Sequence, residues 1–581
     1  MKDILLFFLV IGIHFFMIEY PLRHGRVFRA ERIKGSIAGY GITAFLDSLF
    51  CLIFGYSVIT LGILTGVFFV FGVVNYFIYR FHGTPFTVGE VKNFRTAMAV
   101  AGSYSFVMPL KMAAGEAVLL LCAVAILVFN KDGSFSRLYS LGLLGFFAII
   151  VFLSFFSPRP FVKKKLVIRS WEPVIDRYGY IPPFLRQTVS ELKGPMEKPE
   201  GYDREKTKSF IEDQVFIEDQ KTEERSSGRK PDIIFILNET FYDMGSLTDI
   251  KADRDVLENY RSIEGAISGR TVAARIGGGT NVSEYECLTA NSMDLMSHVA
   301  TPFNVVNLNG ANTVLTYLKS MGYKTCATHP GETFSYRRNV AYPAMGFDGI
   351  TFGKDYKDPG YYGHRTDYIT DSSMYDNLIR WYEEAASGDD PVFFYGLTIQ
   401  NHGDWNVNPE DDIIVHSGRD FGKYTRIVNE FLSCISLSDE AFLKLTEYFK
   451  KTDRDVVIVM TGDHSPSFVN ERDFRDITGT DDLLKLCSTP YIIWSNRELA
   501  RPAGCETISM PFLLPVAFEA AGMKLSPYMD FLTKLRQEVP VFPGNDEDVL
   551  PEEKRELLSR YYSFEYLNYS EPNVTREFWL V

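Results

Sequence analysis

The chain of 581 residues is too long for a single domain and suits two or three. Hydrophobic residues make up 46% of it, which is enough for a large core, and the formal net charge of −13 argues against a nucleic-acid-binding protein, since phosphate backbones require a basic surface. The seven cysteines are scattered and include no CxxC pair, so they predict neither a disulfide framework nor a zinc site.

Five apolar segments occupy the N-terminal third of the chain. Each approaches the roughly 20 residues that cross a bilayer as a helix. A single cleaved signal peptide cannot account for five such segments. We therefore predict an α-helical membrane domain with five transmembrane helices over residues 1–158. The segments are Ile4–Ile18, Ile37–Gly55, Tyr56–Tyr79, Ala113–Phe129 and Leu138–Phe156.

Basic residues follow the first and the fifth of these segments, between Arg23 and Lys34 and between Arg159 and Arg169. The positive-inside tendency, taken alone, would place both loops and the C-terminal domain in the cytoplasm. Residues 159–230 come next, and we expect them to form a juxtamembrane helix and a linker. The stretch Met196–Lys230 is charged and poor in large apolar residues, which predicts an exposed linker.

Over residues 231–581, short and nearly continuous apolar runs alternate with helical stretches. That order predicts an α/β domain in which helices cover both faces of a mainly parallel sheet. The predicted strands are Asp232–Leu237, Tyr323–Thr328, Pro391–Thr398 and Asp455–Met460, and the predicted helices are Asn312–Met321, Met374–Ala386 and Ser438–Lys450.

Polar side chains follow three of these strands. Glu239 comes after the first, His402 after the third, and the pair Asp463–His464 after the fourth. In such a sheet, ligands bind beyond the carboxyl ends of the strands, so we expect these groups at one edge. Each alone could be a hydrogen-bonded polar residue at a strand end. Together, carboxylates and imidazole suit a divalent metal such as Mn, Zn or Mg.

Three glycines precede Thr280 in the segment Ile276–Asn281, and a helix can begin directly after them. A hydroxyl at a helix N-terminus lies where backbone N–H groups and the helix dipole favour an anion such as a phosphoryl group. Coordination to a metal would lower the pKa of the Thr280 hydroxyl and make it a nucleophile. The alternative is an ordinary glycine loop with a threonine cap. The segment is not a P-loop because the lysine of that motif is absent.

The segment His329–Arg338 follows a predicted strand. His329 offers a titratable hydrogen-bond donor, and Arg338 offers a permanent positive charge. Such a pair is suited to binding phosphate oxygens. The alternative is a surface loop with solvated arginines.

Together these motifs resemble the lipoteichoic acid synthase family, the polyglycerolphosphate synthases within the alkaline-phosphatase/sulfatase superfamily. The resemblance implies a sulfatase-like α/β catalytic domain. It also implies that Thr280, followed by Ser283–Tyr285, is both nucleophile and metal ligand. The remaining metal ligands would be Glu239, Asp463 and His464, with manganese the expected ion and Mg or Zn as alternatives.

The resemblance further assigns His329, Arg338 and His402 to the surroundings of the glycerophosphate group. Two positions depart from the family pattern: Gly331 stands where Asp is frequent, and Tyr336 stands where Trp is usual. Both positions contact the substrate head group in the family, so Tyr336 is included as a substrate-binding residue.

The expected function is transfer of glycerol phosphate from phosphatidylglycerol, through a threonine adduct, to a glycolipid or a growing teichoic-acid chain. In the family the catalytic domain lies outside the cell membrane. We expect the same orientation here, although the basic residues of the loops favour the opposite one. Alternatives are a phosphoethanolamine transferase, a primase that adds one glycerophosphate, a phosphodiesterase or sulfatase, and a non-catalytic sensor. A formylglycine sulfatase is disfavoured because Thr280 is not followed by x-Pro-x-Arg.

Overall fold

The computed structural model describes residues 2–23, 33–82, 84–88, 108–129, 136–157, 161, 170–222, 230–297, 299 and 301–581. The charge argument for the topology depends largely on basic residues that lie outside the described residues. They are at positions 26, 29, 32, 159, 163–165 and 169. The chain folds as two compact units. The first consists mainly of Met1–Gly194, and the second of Pro195–Ser297 with Thr301–Val581.

The first unit contains five long apolar helices, each of sufficient length and hydropathy to span a membrane. This confirms the predicted helical membrane domain. Two short helices follow in the same unit. The seven are α1 (Lys2–Leu22), α2 (Ile33–Phe54), α3 (Val58–His82), α4 (Leu110–Phe129), α5 (Arg137–Phe156), α6 (Trp171–Tyr178) and α7 (Ile181–Lys193).

Close packing joins the helices of the first unit. A Cβ atom on Gly72 of α3 would lie only 2.1 Å from the carbonyl oxygen of Met17 in α1, so the two backbones can approach this closely only without a side chain there. Trp171 and Tyr180 are buried with the long helices. The packing therefore divides the chain after Gly194, whereas the sequence suggested divisions at residues 158 and 230.

The second unit begins with a helix that the sequence did not predict, α8 (Arg204–Thr222). The expectation of an exposed linker over Met196–Lys230 is wrong for this part. Phe210 lies 5.4 Å from the ring of Phe531, Ile211 is buried, and the Arg204 guanidinium forms two hydrogen bonds with the Glu571 carboxylate, at 2.8 and 2.7 Å. Two adjacent apolar residues thus anchor an otherwise charged helix.

The second unit is built around an eight-stranded sheet in the order β4-β3-β5-β1-β6-β7-β2-β8. Only β7 runs antiparallel to its neighbours, so the prediction of a mainly parallel sheet is confirmed. The strands are β1 (Asp232–Asn238), β2 (Ile267–Val272), β3 (Lys324–His329), β4 (Gly349–Phe352), β5 (Val392–Leu397), β6 (Val456–Gly462), β7 (Ser488–Ser495) and β8 (Thr507–Ser509).

Helices cover this sheet, and the three predicted ones are present with shifted ends. The helix predicted to begin at Ser438 begins at Thr425. The helices are α9 (Met244–Leu247), α10 (Glu258–Ser262), α11 (Thr280–Thr289), α12 (Pro302–Val305), α13 (Val314–Ser320), α14 (Arg338–Met345), α15 (Asp371–Ala385), α16 (Thr425–Phe449), α17 (Arg472–Thr478), α18 (Leu483–Cys487), α19 (Leu513–Ala520), α20 (Pro527–Glu538), α21 (Glu552–Ser570) and α22 (Pro572–Thr575).

The central strands β5, β1 and β6 are parallel and completely buried, as their continuous apolar runs predicted. Asn238, the last residue of β1, pairs in register with Gly462, the last residue of β6. The next residue along each strand, Glu239 and Asp463, therefore leaves the sheet at the same edge.

Candidate metal centre

Three buried side chains converge at that edge. One ligand atom from each of Glu239, Asp463 and His464 lies within 4.8 Å of the other two. The His464 Nε2 atom is 3.2 Å from Asp463 Oδ2 and 3.7 Å from Glu239 Oε1. Within the described ranges, no other group of three His, Cys, Asp or Glu side chains converges in this way. One nitrogen and two carboxylates form a donor set that suits Mn, Zn or Mg.

Neighbouring groups orient these ligands toward a common point. Asp463 Oδ1 accepts the backbone N–H groups of Thr240 and His464, each at 2.7 Å, whereas Oδ2 is buried without a hydrogen-bond partner among the described residues. His464 Nδ1 donates to the Ser465 carbonyl at 2.9 Å, which leaves Nε2 directed at the carboxylates. An unpartnered carboxylate oxygen beside an oriented imidazole fits a bound cation.

The electrostatics of the cluster also fit a cation. Burial, together with the nearby Glu239 carboxylate, raises the pKa of Asp463 above its ordinary value. Burial opposes protonation of His464, but the Asp463 and Glu239 carboxylates outweigh it and raise the pKa of His464. The site therefore attracts positive charge, and either a proton or a divalent cation can supply it.

Thr280 begins α11 and faces the same point. Its Oγ1 atom is 3.2 Å from Glu239 Oε2 and 3.4 Å from His464 Nε2. Ser283, one turn later, donates from its hydroxyl to the Asp463 carbonyl at 2.6 Å and ties the helix to the strand end. The structure thus brings together the four predicted metal ligands, and Thr280 lies at a helix N-terminus where N–H groups and the dipole favour a phosphoryl anion.

The glycine segment sets the approach of the chain to Thr280. Gly277, Gly278 and Gly279 have φ angles of +74°, +157° and +95°, values that residues with a side chain rarely adopt. A Cβ atom on Gly277 would also lie 3.0 Å from Ser467 Cα. The predicted close approach of this backbone is therefore present, between the glycine loop and the segment that follows His464.

Arg338 is held in the interior by a carboxylate of α11. Its Nη2 and Nε atoms donate to Glu284 Oε2 at 2.7 and 2.9 Å, and Tyr342 donates its hydroxyl to Glu284 Oε1 at 2.5 Å. The Arg338 and Glu284 side chains are only 3% and 0% exposed. Glu284 lies four residues after Thr280, on the same face of α11. The pair therefore fixes a guanidinium one helical turn from the candidate nucleophile.

His329 and Tyr336 surround this guanidinium. His329 Nε2 lies 3.4 Å from Arg338 Nη1, and its Nδ1 donates to the Leu397 carbonyl at 3.2 Å. Burial and the adjacent Arg338 hold the pKa of His329 well below its ordinary value, so the ring is neutral. The Tyr336 ring lies 5.1 Å from Arg338 Cζ, and Tyr336 itself has φ +52°. These three predicted substrate residues form one cluster.

His402 lies after β5, close enough to His329 to contribute to the lowered pKa of that ring, and its hydrogen bonds are made to other groups. Its Nδ1 is 2.6 Å from the Gly403 carbonyl and 3.2 Å from the Tyr368 hydroxyl. Arg365, whose side chain is 1% exposed, donates to the His402 carbonyl and pairs with Glu430. None of these contacts joins His402 to the metal ligands or to Arg338, so its predicted role next to the substrate stays a prediction.

A layer of polar residues beneath the site was missed by sequence reasoning. Thr398 Oγ1 accepts the backbone N–H of Glu239 at 3.0 Å, and the Asp371 carboxylate accepts from Asn238 and Ser438 at 2.9 and 2.6 Å. Burial raises the pKa of Asp371 to about 6. Asp371 and Ser438 are 67 residues apart on two helices, and their sequence surroundings carry no distinguishing motif.

Comparison with known proteins places the second unit in a family. The model of the family described as Sulfatase matches residues 231–523. Among solved structures, the fold resembles that of the Streptococcus pyogenes phosphoglycerol transferase GacH in complex with sn-glycerol-1-phosphate. The match has a TM-score of 0.55 and 21% identity, and it covers 64% of this chain and 95% of that one.

Two curated relatives come from Rhizobium meliloti (strain 1021). A putative cyclic β-1,2-glucan modification protein is 27% identical over 316 residues, which is 53% of this chain and 48% of the relative. The capsular polysaccharide biosynthesis protein RkpI is 27% identical over 153 residues, 26% of this chain and 25% of the relative. The chain therefore spans about half and about a quarter of the length of these relatives. Since the family model covers half of the chain and includes every strand of the sheet that carries the site, this protein belongs to the sulfatase family.

Proposed function

We propose that this protein is a metal-dependent phosphotransferase of the cell membrane, with its catalytic unit outside the cell. It transfers glycerol phosphate from phosphatidylglycerol, through a covalent adduct on Thr280, to a glycolipid or a growing teichoic-acid chain. The observation that carries the proposal is the position of Thr280 Oγ1, at a helix N-terminus and 3.2 Å and 3.4 Å from Glu239 and His464. A serine or threonine used only as a helix cap would not require two metal-type ligands beside its hydroxyl.

The cation would be held by Glu239, Asp463, His464 and Thr280, and manganese is the ion we expect. When bound, a divalent cation would lower the pKa of the Thr280 hydroxyl and offset the negative charge of the phosphoryl oxygens. The N-terminal N–H groups of α11 add donors for the same oxygens. The carboxylates that would hold the cation are buried, so they lie in a region with little water, where charged groups interact strongly.

The transfer proceeds in two displacements at phosphorus. Thr280 Oγ1 attacks the phosphorus of the lipid and loses its proton, for which Glu239 Oε2, at 3.2 Å, is a carboxylate oxygen within hydrogen-bond distance. The bond from phosphorus to the diacylglycerol oxygen breaks, that oxygen takes up a proton, and a glycerophospho-threonine remains. An acceptor hydroxyl then attacks the adduct, loses its proton, and restores the Thr280 hydroxyl.

Arg338 is suited to position the phosphoryl group in both displacements. Glu284 occupies its Nε and Nη2 atoms, which leaves Nη1, next to the neutral His329, for a phosphate oxygen. Because His329 is neutral and its Nδ1 hydrogen bonds to a carbonyl, it can accept a hydrogen bond at Nε2 without adding positive charge. Tyr336 covers the guanidinium and is the residue through which the head group would be selected.

The names of two similar proteins favour a second acceptor. GacH is named a phosphoglycerol transferase, which supports the transferred group. The two curated relatives are named for glucan modification and capsular polysaccharide biosynthesis. We therefore include the hydroxyl of a polysaccharide as an alternative acceptor for the same glycerol phosphate.

Mass spectrometry of the full-length protein tests the proposal. After incubation with Mn²⁺ and phosphatidylglycerol, the peptide that contains Thr280 should gain the mass of one glycerophosphoryl group, and Thr280→Ala should gain nothing. Phosphatidylethanolamine serves as the competing donor. A phosphoethanolamine adduct would identify a related transferase, and free glycerol phosphate without any acceptor product would identify a hydrolase. A protein that modifies no residue and releases no diacylglycerol would contradict the proposal.

A further inference from the structure

A cavity of about 310 Å³ lies in the second unit, apart from the metal ligands. Its walls come from the C-terminal half of α11, the loop 306–313 and the junction of α21 with α22. From the chemistry of these walls, we propose that the cavity is a binding site for a neutral sugar residue.

The cavity wall is about half polar and half apolar, and none of its lining residues carries a charged side chain. Its most frequent lining residue is asparagine, which is joined by threonine and serine hydroxyls. Amide groups offer a donor and an acceptor on one side chain, which matches the hydroxyl groups of a sugar. A phosphate or carboxylate would find no cation among these lining residues. The asparagines are Asn291, Asn307, Asn309, Asn312 and Asn568.

Two tyrosines add flat apolar surface to the polar walls. Tyr285 of α11 is buried, and Tyr569 near the end of α21 is partly exposed. A sugar ring has a face of C–H groups and an edge of hydroxyl groups, and aromatic rings next to amides match both. Neither a small anion nor a free metal ion requires such rings.

The inner wall is fixed before any ligand binds. Asn312 Nδ2 donates to the carbonyl of Pro572 at 2.7 Å, and its second N–H lies between two acceptors, Asn568 Oδ1 at 3.1 Å and Thr575 Oγ1 at 3.0 Å. Because a proline carbonyl can only accept, the orientation of the Asn312 amide is determined. Asn568 Nδ2 in turn donates to the Asn312 carbonyl at 3.2 Å. A wall held in this way loses little conformational freedom on binding.

The size and opening of the cavity suit one sugar ring of a longer glycan. Its volume is at the lower end of the range of about 300–1,000 Å³ for small-molecule sites. The side chains of Asn307, Asn309 and Ser570 are exposed at the mouth, so a glycan can continue from the bound ring into solvent.

The same helix carries Thr280 and part of the cavity wall. Tyr285 and Thr289 follow Thr280 by five and nine residues, so at 1.5 Å per residue they lie about 7.5 and 13.5 Å further along the axis of α11. The cavity is therefore a separate site near the candidate nucleophile. The bound sugar would belong to the acceptor glycan if the proposed function is right. That assignment rests on the proposed function, whereas the binding site itself does not.

Saturation-transfer NMR on the full-length protein tests the site. The probes are methyl glycosides and disaccharides of glucose, galactose and N-acetylglucosamine, with glucuronic acid and glycerol phosphate as charged controls. The detergent must have no sugar head group, so lauryldimethylamine oxide replaces maltosides. We expect saturation transfer to at least one neutral glycoside and a competition curve unaffected by glycerol phosphate.

Variants at the mouth of the cavity locate the binding. Asn309→Ala and Tyr569→Ala change exposed or half-exposed positions. Each should raise the dissociation constant of the neutral glycoside by about tenfold or more, which corresponds to a loss of about 1.4 kcal/mol in binding free energy. Asn573→Ala, an exposed asparagine outside the lining, is the matched control and should bind as the wild type does. Melting temperatures of all variants check that they are folded.

Two results would overturn the inference: no saturation transfer to any neutral glycoside, or binding that neither Asn309→Ala nor Tyr569→Ala weakens. The Thr280→Ala variant separates this site from the proposed function, because it should abolish the adduct and leave glycoside binding unchanged. A wild-type protein that binds glycosides but forms no adduct would contradict the proposed function alone.

Discussion

Replacing Glu284 by Gln should destabilise the second unit more than any exchange of an exposed carboxylate. The Glu284 and Arg338 side chains are 0% and 3% exposed and are joined by contacts of 2.7 and 2.9 Å. The Glu284→Gln change leaves the guanidinium buried without a negative partner. It also presents an amide NH₂ to a guanidinium and a Tyr342 hydroxyl that are themselves donors. Breaking a buried pair from one side costs about 3–5 kcal/mol.

The expected change in melting temperature follows from the size of the unit. With about 2.1 cal/mol/K of unfolding entropy per residue, a unit of roughly 380 residues should melt about 4–6 °C lower. Differential scanning fluorimetry of the full-length protein measures this shift. Hydrogen exchange of α11 peptides then shows whether the loss is localised to the helix that carries Glu284.

The control is the exposed pair of Lys444 and Asp376, whose side chains are 51% and 56% exposed at a separation of 2.7 Å. Asp376→Asn makes the same carboxylate-to-amide change and should cost less than about 1 kcal/mol, because solvent screens the pair. A Glu284→Gln shift no larger than the Asp376→Asn shift would refute the assignment of Glu284 as the group that holds Arg338 in place.

Three further predictions concern the metal centre and its loop. The Thr280→Ala variant should fold but form no covalent adduct and transfer nothing to the acceptor in a lipid-labelling assay. Transfer at the wild-type rate would contradict the proposal that Thr280 is the nucleophile. A wild-type protein with Mn²⁺ at a hundredfold excess over its Kd should gain about 2.7 kcal/mol of stability, whereas Asp463→Asn should show no Mn²⁺-dependent rise in melting temperature. Gly277→Ala should lower both stability and turnover, because φ is +74° and the new Cβ would lie 3.0 Å from Ser467 Cα. Gly322→Ala is its control, since φ is +87° there but no atom lies within 4 Å, so it should lose stability but not activity.

The convergence of Glu239, Asp463 and His464 could be predicted because these residues follow buried strands. Continuous apolar runs identified β1 and β6, and in parallel strands of the same sheet the residues after each carboxyl end meet at one edge. The register confirms this, since Asn238 pairs with Gly462 directly before Glu239 and Asp463. The position of Thr280 near these residues could be predicted for a different reason. The three glycines before it indicate a backbone conformation that brings a helix N-terminus close to another segment.

The support around Arg338 could not be predicted in the same way. Glu284 and Arg338 are 54 residues apart, and the contact depends on how α11 packs against the start of α14, for which neither hydrophobic pattern nor spacing gives information. Helix α8 was missed for a different reason. Its mean composition is charged, and only the tertiary contacts of Phe210 and Ile211 distinguish it from a solvated linker.

The central claim is that Glu239, Asp463, His464 and Thr280 hold one divalent cation. Crystals of the protein grown with Mn²⁺ and measured at the manganese absorption edge test this directly. We predict a single anomalous peak within coordination distance of one atom of each of the four side chains. A map with no peak there, or a peak whose ligands are other residues while Asp463 Oδ2 and His464 Nε2 coordinate nothing, would contradict it.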